Sequence, residues 1–562
     1  MAERLWDYNP GYDWDEEHDL KDHPTWICDQ VHSWPRLMPM DAWFWERYCT
    51  YGDVYGYDLI CLPRVKGMIR RVRNGADYLA FKVISDEKEV EQREIKFKET
   101  VLSLSTEFPQ WWPRAKEELM EMFTRLKKVD LDAASNIELL DHLYDLMDLD
   151  RRVWKIHSKG LKTVIAAWSL FENLCKELWG LTDTSPEFRR LMSGYDNKML
   201  QVDKRLWQLA KSADSKGLAD IIMADIDTTT ALQKIEQSPT GRDWLKDFND
   251  FLNEDGWRMA HAHVFHEPTW LEDPTPAIGR LKYFIQNAGE FGADIERPRL
   301  TKEREETLAG LLSKVPNERK GEFLKLLASA QLAGVFQEEH TYYCEFYCHA
   351  VIRRSLLGIG RRLVKTEVID RPDDVFTLNP EEVERVITGP DGCDLRYITV
   401  RRRREWEEWH KMDLPPVITS RSSIPEAFEK DIMVTREPTT LKVIAGVLPE
   451  VTPDPEADLY GVPASSGVAE GLARVVIRAE DIITIQVGDI LVAPSTTPTW
   501  TAVFTVVAGL VTEAGGTLSH SAIVAREYRL PAVVNCPEAT KKIRTGQRIR
   551  VDGDKGTVYI LP

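Results

Sequence analysis

The sequence has no CxxC pair. Its eight cysteines are scattered, a usage expected of small core thiols in a reducing compartment, and the cytoplasm is the expected location. No run approaches the roughly 18 apolar residues that a membrane helix requires. The first residues, Met1 to Trp14, are acidic and lack the basic start and apolar core of a signal peptide. Basic residues are in deficit, with 73 Lys and Arg against 91 Asp and Glu and a net charge of −18, so a dedicated nucleic-acid face is excluded. The notable basic cluster, Arg401 to Arg404, runs straight into Glu405, Glu407 and Glu408. It reads as a solvated or ion-paired helix face, with a phosphate site as the alternative. A GxxxxGK[ST] phosphate loop and tandem repeats are also missing.

What is present falls into segments. Residues 1–93 combine an Asp-, Trp- and Pro-rich arm with short apolar runs such as "VYGYDLICL" and "DYLAFKVI", and read as a small mixed subdomain. Residues 94–431 repeat apolar positions at three- and four-residue spacing over many turns, the pattern of long helices. The second long run is expected to end near Gly358 and Gly360, and "SPTG" (Ser238 to Gly241) to separate two helical groups. Residues 432–458 are proline-rich and polar, a linker. Residues 459–562 carry brief Val- and Ile-rich strands around one helix, Ser519 to Tyr528. The expected architecture is multidomain α+β, a large mostly helical domain followed by a compact α/β unit.

The most informative stretch is "TEAGGTLSHSAIVAREYRLPAVV", Thr512 to Val534. Gly515 and Gly516 permit a tight path after a strand, and Ser519 is a good helix N-cap. His520 then lies in the first helical turn, where free amides and the positive dipole end favour an anion carried on the imidazole. Imidazole is a nucleophile at neutral pH and a good leaving group when protonated, which suits phosphoryl transfer. A histidine beside a cap is otherwise an ordinary structural residue.

This stretch, with "GVPASSGVAEGLARVV", "GDILVAPSTTPTWTAVF" and "VDGDKGTVYIL" around it, resembles the swivelling phosphohistidine domain of the phosphoenolpyruvate-utilising enzymes. The resemblance covers about residues 458 to 562 and implies that His520 carries the phosphoryl group. Thr512 and Arg526 stand at signature positions and, with Gly516 and Ser519, are the candidate phosphate-stabilising residues. An ion pair with Glu527 is the other reading of Arg526.

Phe251 to Lys282 resembles the acceptor-binding domain of rifampin phosphotransferases, with Gly256, Arg258, Pro268, Trp270 and Pro274 at matching positions. If the acceptor is a hydroxyl, a base must take its proton and a cation must offset developing charge. His261 or His263 is the candidate base, and Arg258 or Arg354 the candidate cation. Trp257, Trp270 and Tyr343 are candidates, with Arg354, for the acceptor pocket, drawn from a chain with 18 tryptophans. His261, His263 and His266, and His340 with Cys344 and Cys348, have ligand-like spacing, but neither group makes a complete four-ligand pattern, and no metal is expected in this chain.

A phosphohistidine domain and a helical acceptor domain, with no evident ATP-grasp or phosphoenolpyruvate-binding unit, are together similar to the histidine-carrying subunit of phenylphosphate synthases. That similarity implies an ATP-dependent phosphotransferase whose ATP and Mg²⁺ are held by a separate ATP-grasp subunit. Its expected acceptor is phenol, or another small hydroxylated compound. A non-catalytic phosphohistidine regulator is the alternative class.

Overall fold

The computed structural model describes residues 16–29, 35–286, 291–389, 393–432, 443, 454–477, 479–496 and 498–562. Most of the expected linker, and much of the N-terminal arm, lie outside these residues. Two compact units are present, and they interleave along the chain instead of following one another. The first takes residues 1–163, 257–269 and 340–440; the second takes 164–256, 270–339 and 441–562. The expected boundaries near 93 and 431 are boundaries along the chain, so they do not coincide with these.

In the first unit a four-stranded sheet is built from β1 (Thr25–Cys28), β2 (Val65–Arg73), β3 (Ala76–Val83) and β4 (Val417–Thr419), in the order β2-β3-β1-β4. The hairpin turns at Asn74 and Gly75, both with positive φ. Trp26, Ile69, Tyr78 and Ile418 form its buried face. The helix Glu87–Lys127 is capped by the Asp86 side chain, which accepts from the Lys88 amide. It buries Val90, Phe97, Val101, Phe108, Leu119 and Phe123 on one face.

The helix Cys348–Lys365 runs through Gly358 and Gly360 instead of ending there. The sequence expectation of a break is thus corrected, and the reason is close packing. A Cβ at Gly360 would lie 2.1 Å from the Pro372 carbonyl oxygen, and one at Gly358 2.4 Å from Leu131 Cδ1. The Arg401 to Arg404 run is an ion-paired helix face: Arg401 meets Glu405 at 3.4 Å and Arg402 meets Glu382 at 2.6 Å.

In the second unit, helices including Lys198–Ser215 and Pro239–Asp255 accompany an eight-stranded sheet. Ser238 caps the latter helix, so "SPTG" is a boundary between two helices, as its sequence suggests. The strands are β5 (Leu459–Tyr460), β6 (Val462–Ser465), β7 (Val468–Val475), β8 (Ile490–Ala493), β9 (Gly509–Thr512), β10 (Ala532–Val534), β11 (Arg548–Asp552) and β12 (Thr557–Ile560). Their order is β5-β12-β11-β7-β8-β9-β10-β6, with β7, β8, β9 and β10 mutually parallel. Fully buried strands Ile490–Ala493 and Gly509–Thr512 explain the short unbroken apolar runs. The helix between β9 and β10 is His520–Glu527. Among the described residues, no helix is long and apolar enough to cross a membrane.

Candidate functional site

The loop from β9 to the helix His520–Glu527 is set by three local features. Gly515 has φ +124, and a Cβ there would stand 2.8 Å from Ser519 Oγ. The Ser519 hydroxyl donates to the Gly516 carbonyl at 2.8 Å and accepts from the Ala522 amide, closing the N-cap. Thr512, fully buried at the end of β9, donates through Oγ1 to the Ala514 carbonyl at 2.8 Å. These contacts fix His520 as the first residue of the helix, its side chain only 10% exposed.

His520 Nδ1 lies 3.0 and 3.1 Å from the two carboxylate oxygens of Glu338, which is itself 2% exposed. Nδ1 therefore carries the proton it donates to Glu338, and the lone pair is placed on Nε2. Nε2 is buried without a hydrogen-bond partner among the described residues, and the Phe504 ring stands edge-on 6.1 Å away, centroid to centroid. A buried nitrogen with its lone pair unused, on a ring held from the other side, is arranged to form a bond to phosphorus. Glu338 is the functional residue that sequence reasoning missed. It lies 182 positions away, and nothing in "FQEEH" marks it out.

Arg526 is buried and donates through Nη1 to the Thr517 carbonyl at 2.8 Å. Burial draws its guanidinium down to about 10. It anchors the loop that presents His520, and its charge also acts on the neighbouring Glu527 carboxylate. With Arg189, Arg190, Arg529, Ser465 and Ser466 it also lines a cleft of about 570 Å³. Arg189 donates to the Pro463 and Gly553 carbonyls at 2.9 and 3.2 Å and to Ser466 Oγ at 3.0 Å. The Glu527 carboxylate accepts from the backbone amides of Gly194 and Tyr195 at 3.0 and 3.2 Å. These contacts seat the α/β part of the second unit against its own helices.

Burial pushes the Glu527 carboxyl up to about 7, although the two amides and Arg526 favour its ionised form. The folded chain then holds a proton that the unfolded chain has released between pH 4.5 and about 7. The stability this group contributes is full below pH 4.5 and is lost as pH rises through about 7. Glu527→Gln is expected to flatten that decline, by at most about 3 kcal/mol. Urea midpoints measured at about pH 5 and about pH 8 check it; parallel profiles for the two proteins would contradict the assignment.

The candidates for the acceptor site fall in both units, Trp270 in the second and the others in the first. Trp257 stacks on Tyr347 at 5.3 Å, with Lys127 Nζ 4.4 Å above its ring and 2.7 Å from the Tyr347 hydroxyl. Arg354 is exposed and donates to the Lys127 carbonyl at 3.1 Å, whereas its neighbour Arg353 is buried and donates to the Phe265 carbonyl at 2.7 Å. Tyr343 is edge-on to Trp112 at 6.3 Å. Arg258 is buried over the Phe346 ring at 5.3 Å. Trp270 is a core side chain of the second unit, with Arg280 over its ring at 5.2 Å and Arg280 paired to Asp203.

The three neighbouring histidines separate. His261 Nδ1 bonds Glu267 at 2.8 Å, His266 Nδ1 bonds Asp41 at 2.7 Å, and His263 turns with φ +72 into a buried space between Trp45 and Trp154. They do not converge on one point. Burial raises the thiols of Cys344 and Cys348 well above their ordinary range, which keeps them protonated.

Comparison with known proteins agrees with this arrangement. Residues 485–556 match the family described as PEP-utilising enzyme, mobile domain, and residues 157–338 match the rifampicin phosphotransferase fourth domain. The chain thus carries one segment similar to the mobile domain of PEP-utilising enzymes and another similar to a domain of rifampicin phosphotransferases, each match covering less than half of it. Among its relatives, chondramide synthase cmdD of Chondromyces crocatus is 28% identical over 97% of this chain and 14% of its own length. The uncharacterized phosphotransferase YvkC of Bacillus subtilis is 28% identical over 66% of this chain and 43% of its own. A rifampicin phosphotransferase of Bacillus cereus is 30% identical over 61% of this chain and 38% of its own. The chain spans less than half the length of each of these relatives.

Proposed function

We propose that this chain is a phosphotransferase component that carries a phosphoryl group on His520 Nε2 and passes it to a hydroxyl acceptor. The observation that carries the reading is the clamped imidazole: Glu338 holds Nδ1, and among the described residues Nε2 has no hydrogen-bond partner. Relatives named as phosphotransferases support it. In the transfer the N–P bond breaks, an O–P bond forms, and the acceptor's proton leaves to a base. His261 suits that task better than His263, because Glu267 fixes its Nδ1 while the ring is about one-third exposed. ATP is the phosphoryl source, used with Mg²⁺ on a separate ATP-grasp subunit.

Phenol is the acceptor we infer. The Trp257 and Tyr347 rings, both buried and stacked beside Lys127, bring aromatic rings and a cation together in the first unit. A phenol, with a pKa near roughly 10, also needs less base assistance than an alkyl alcohol. Incubating the chain with phenyl phosphate and labelled phenol, without ATP, is expected to exchange label into the ester. Exchange with another hydroxylated compound but not phenol would overturn the acceptor and keep the carrier. Failure with every acceptor, together with no phosphohistidine when an ATP-grasp subunit and ATP are supplied, would overturn the function.

A further inference from the structure

The first unit contains a second histidine constellation that the phosphoryl carrier does not use. His157, from the helix Asn136–Trp179, His340, at the end of the helix Lys320–His340, and His263 all direct Nε2 toward Glu345. The separations from the carboxylate oxygens are 3.3 Å for His157, 3.3 Å for His340 and 3.8 Å for His263. The ligand atoms of His157, His340 and Glu345 all lie within 4.8 Å of one another, and the three histidines are buried. These residues come from three separate segments of sequence, around His157, His263 and His340–Glu345, which is why no local ligand pattern announces them.

We propose that His157, His263, His340 and Glu345 form a binding site for a divalent cation of the zinc class. The distances favour a shared ion over hydrogen bonds. Charge-assisted N–H···O contacts normally close to about 2.7–2.9 Å. The neighbouring pairs do so: His261 with Glu267 at 2.8 Å and His266 with Asp41 at 2.7 Å. The contacts around Glu345 stay longer. Bonds of about 2.0–2.1 Å to a tetrahedral ion place adjacent ligand atoms about 3.3–3.4 Å apart, the separation found for two of the three histidines.

Imidazoles that turn Nε2 inward beside a carboxylate supply the N and O donors that zinc, cobalt(II) and iron(II) accept.

The local backbone is arranged for this convergence. Thr341–Tyr347 is a π-helical turn. Its wider winding brings Glu345 toward the face of His340, five positions earlier, which an α-helix would turn well away. His263 holds its φ of +72, a conformation that costs a non-glycine residue energy, and its amide donates to His349 Nδ1 at 3.2 Å. Trp45 packs on His263 at 4.5 Å and Trp154 on His157 at 4.7 Å. They supply the apolar surround and fixed ring orientations that tune metal sites. The expectation from sequence that this chain holds no metal is revised by this proposal.

The test is metal content, a readout separate from phosphotransfer. The full chain is exposed to Zn²⁺, dialysed, and analysed by elemental mass spectrometry. Wild type and His261→Ala are expected to retain about one ion per chain. His157→Gln and Glu345→Gln are expected to bind at least about 100-fold more weakly, exceeding the effect of losing an outer-shell partner. Circular dichroism confirms that each variant is folded, and Co²⁺ in place of Zn²⁺ is expected to show the intense visible bands of a four-coordinate ion. Should both variants be unfolded, the wild-type stoichiometry and Co²⁺ spectrum decide alone. Wild type retaining less than a tenth of an ion, retention unchanged in the variants, or a weak six-coordinate cobalt spectrum would each overturn the proposal.

Discussion

Replacing His520 by alanine is expected to reduce exchange of labelled phenol into phenyl phosphate by at least about 10⁴-fold, the scale on which removal of a covalent nucleophile acts. Among the described residues no other imidazole is held at that position, and a step that needs an N–P bond has no bypass. Alanine suits a helix, but the substitution also strips the buried Glu338 carboxylate of its donor. An unsatisfied buried group costs about 1–3 kcal/mol, so part of any loss would reflect stability. His520→Asn separates the effects, because its amide can donate to Glu338 and cannot carry the phosphoryl group. Its exchange rate is expected to fall as far as that of the alanine variant, with a melting temperature closer to wild type. Exchange that persists in a folded His520→Asn protein would remove His520 from the reaction.

The second large effect concerns Glu338, which touches the imidazole and acts by positioning it. Glu338→Ala removes the acceptor that fixes the proton on Nδ1, leaving both tautomers and a mobile ring. A carboxylate in a comparable orienting role contributes about 10⁴ in kcat to the serine-protease triad. His520 is also fixed by its helix, so we expect about 10²–10³-fold here, in kcat more than in KM. A merely structural role would lower the amount of active protein without changing its chemistry. The positioning role makes a distinct demand: phosphorylation of the alanine variant should divide between Nδ1 and Nε2, and Glu338→Asp should recover part of the selectivity. Phosphorus NMR of the denatured phosphoprotein distinguishes the two isomers. A variant that slows yet still phosphorylates Nε2 alone would show that Glu338 does not set the tautomer.

The carrier half of this site was legible in the sequence because its determinants are local. Gly515, the Ser519 cap and the first turn containing His520 lie within six residues, and each follows from turn and capping rules. The partner of Nδ1 was not legible, since Glu338 reaches His520 only through packing of the second unit. Similar logic separates the two halves of the acceptor reading. Helical periodicity located the long helices, but it did not indicate that Trp257 and Trp270 belong to different units, or that Arg353 is buried and Arg354 exposed. Gly358 and Gly360 look like a helix end by composition, and only the nearness of Leu131 and Pro372 shows why they sit mid-helix. The Glu345 cluster was half visible as His263 and His340; the π-helical turn and His157 that complete it depend on tertiary structure.

The most direct measurement is the site and isomer of phosphorylation. The chain is incubated with phenyl phosphate, or with ATP and an ATP-grasp subunit, and quenched at alkaline pH where phosphohistidine survives. Peptide mapping then locates the phosphoryl group, and phosphorus NMR identifies the nitrogen. The account requires a single phosphohistidine at His520, on Nε2, lost in His520→Asn. Phosphorylation on Nδ1 in the wild type, or on any other residue to the same extent in the variant, would contradict it.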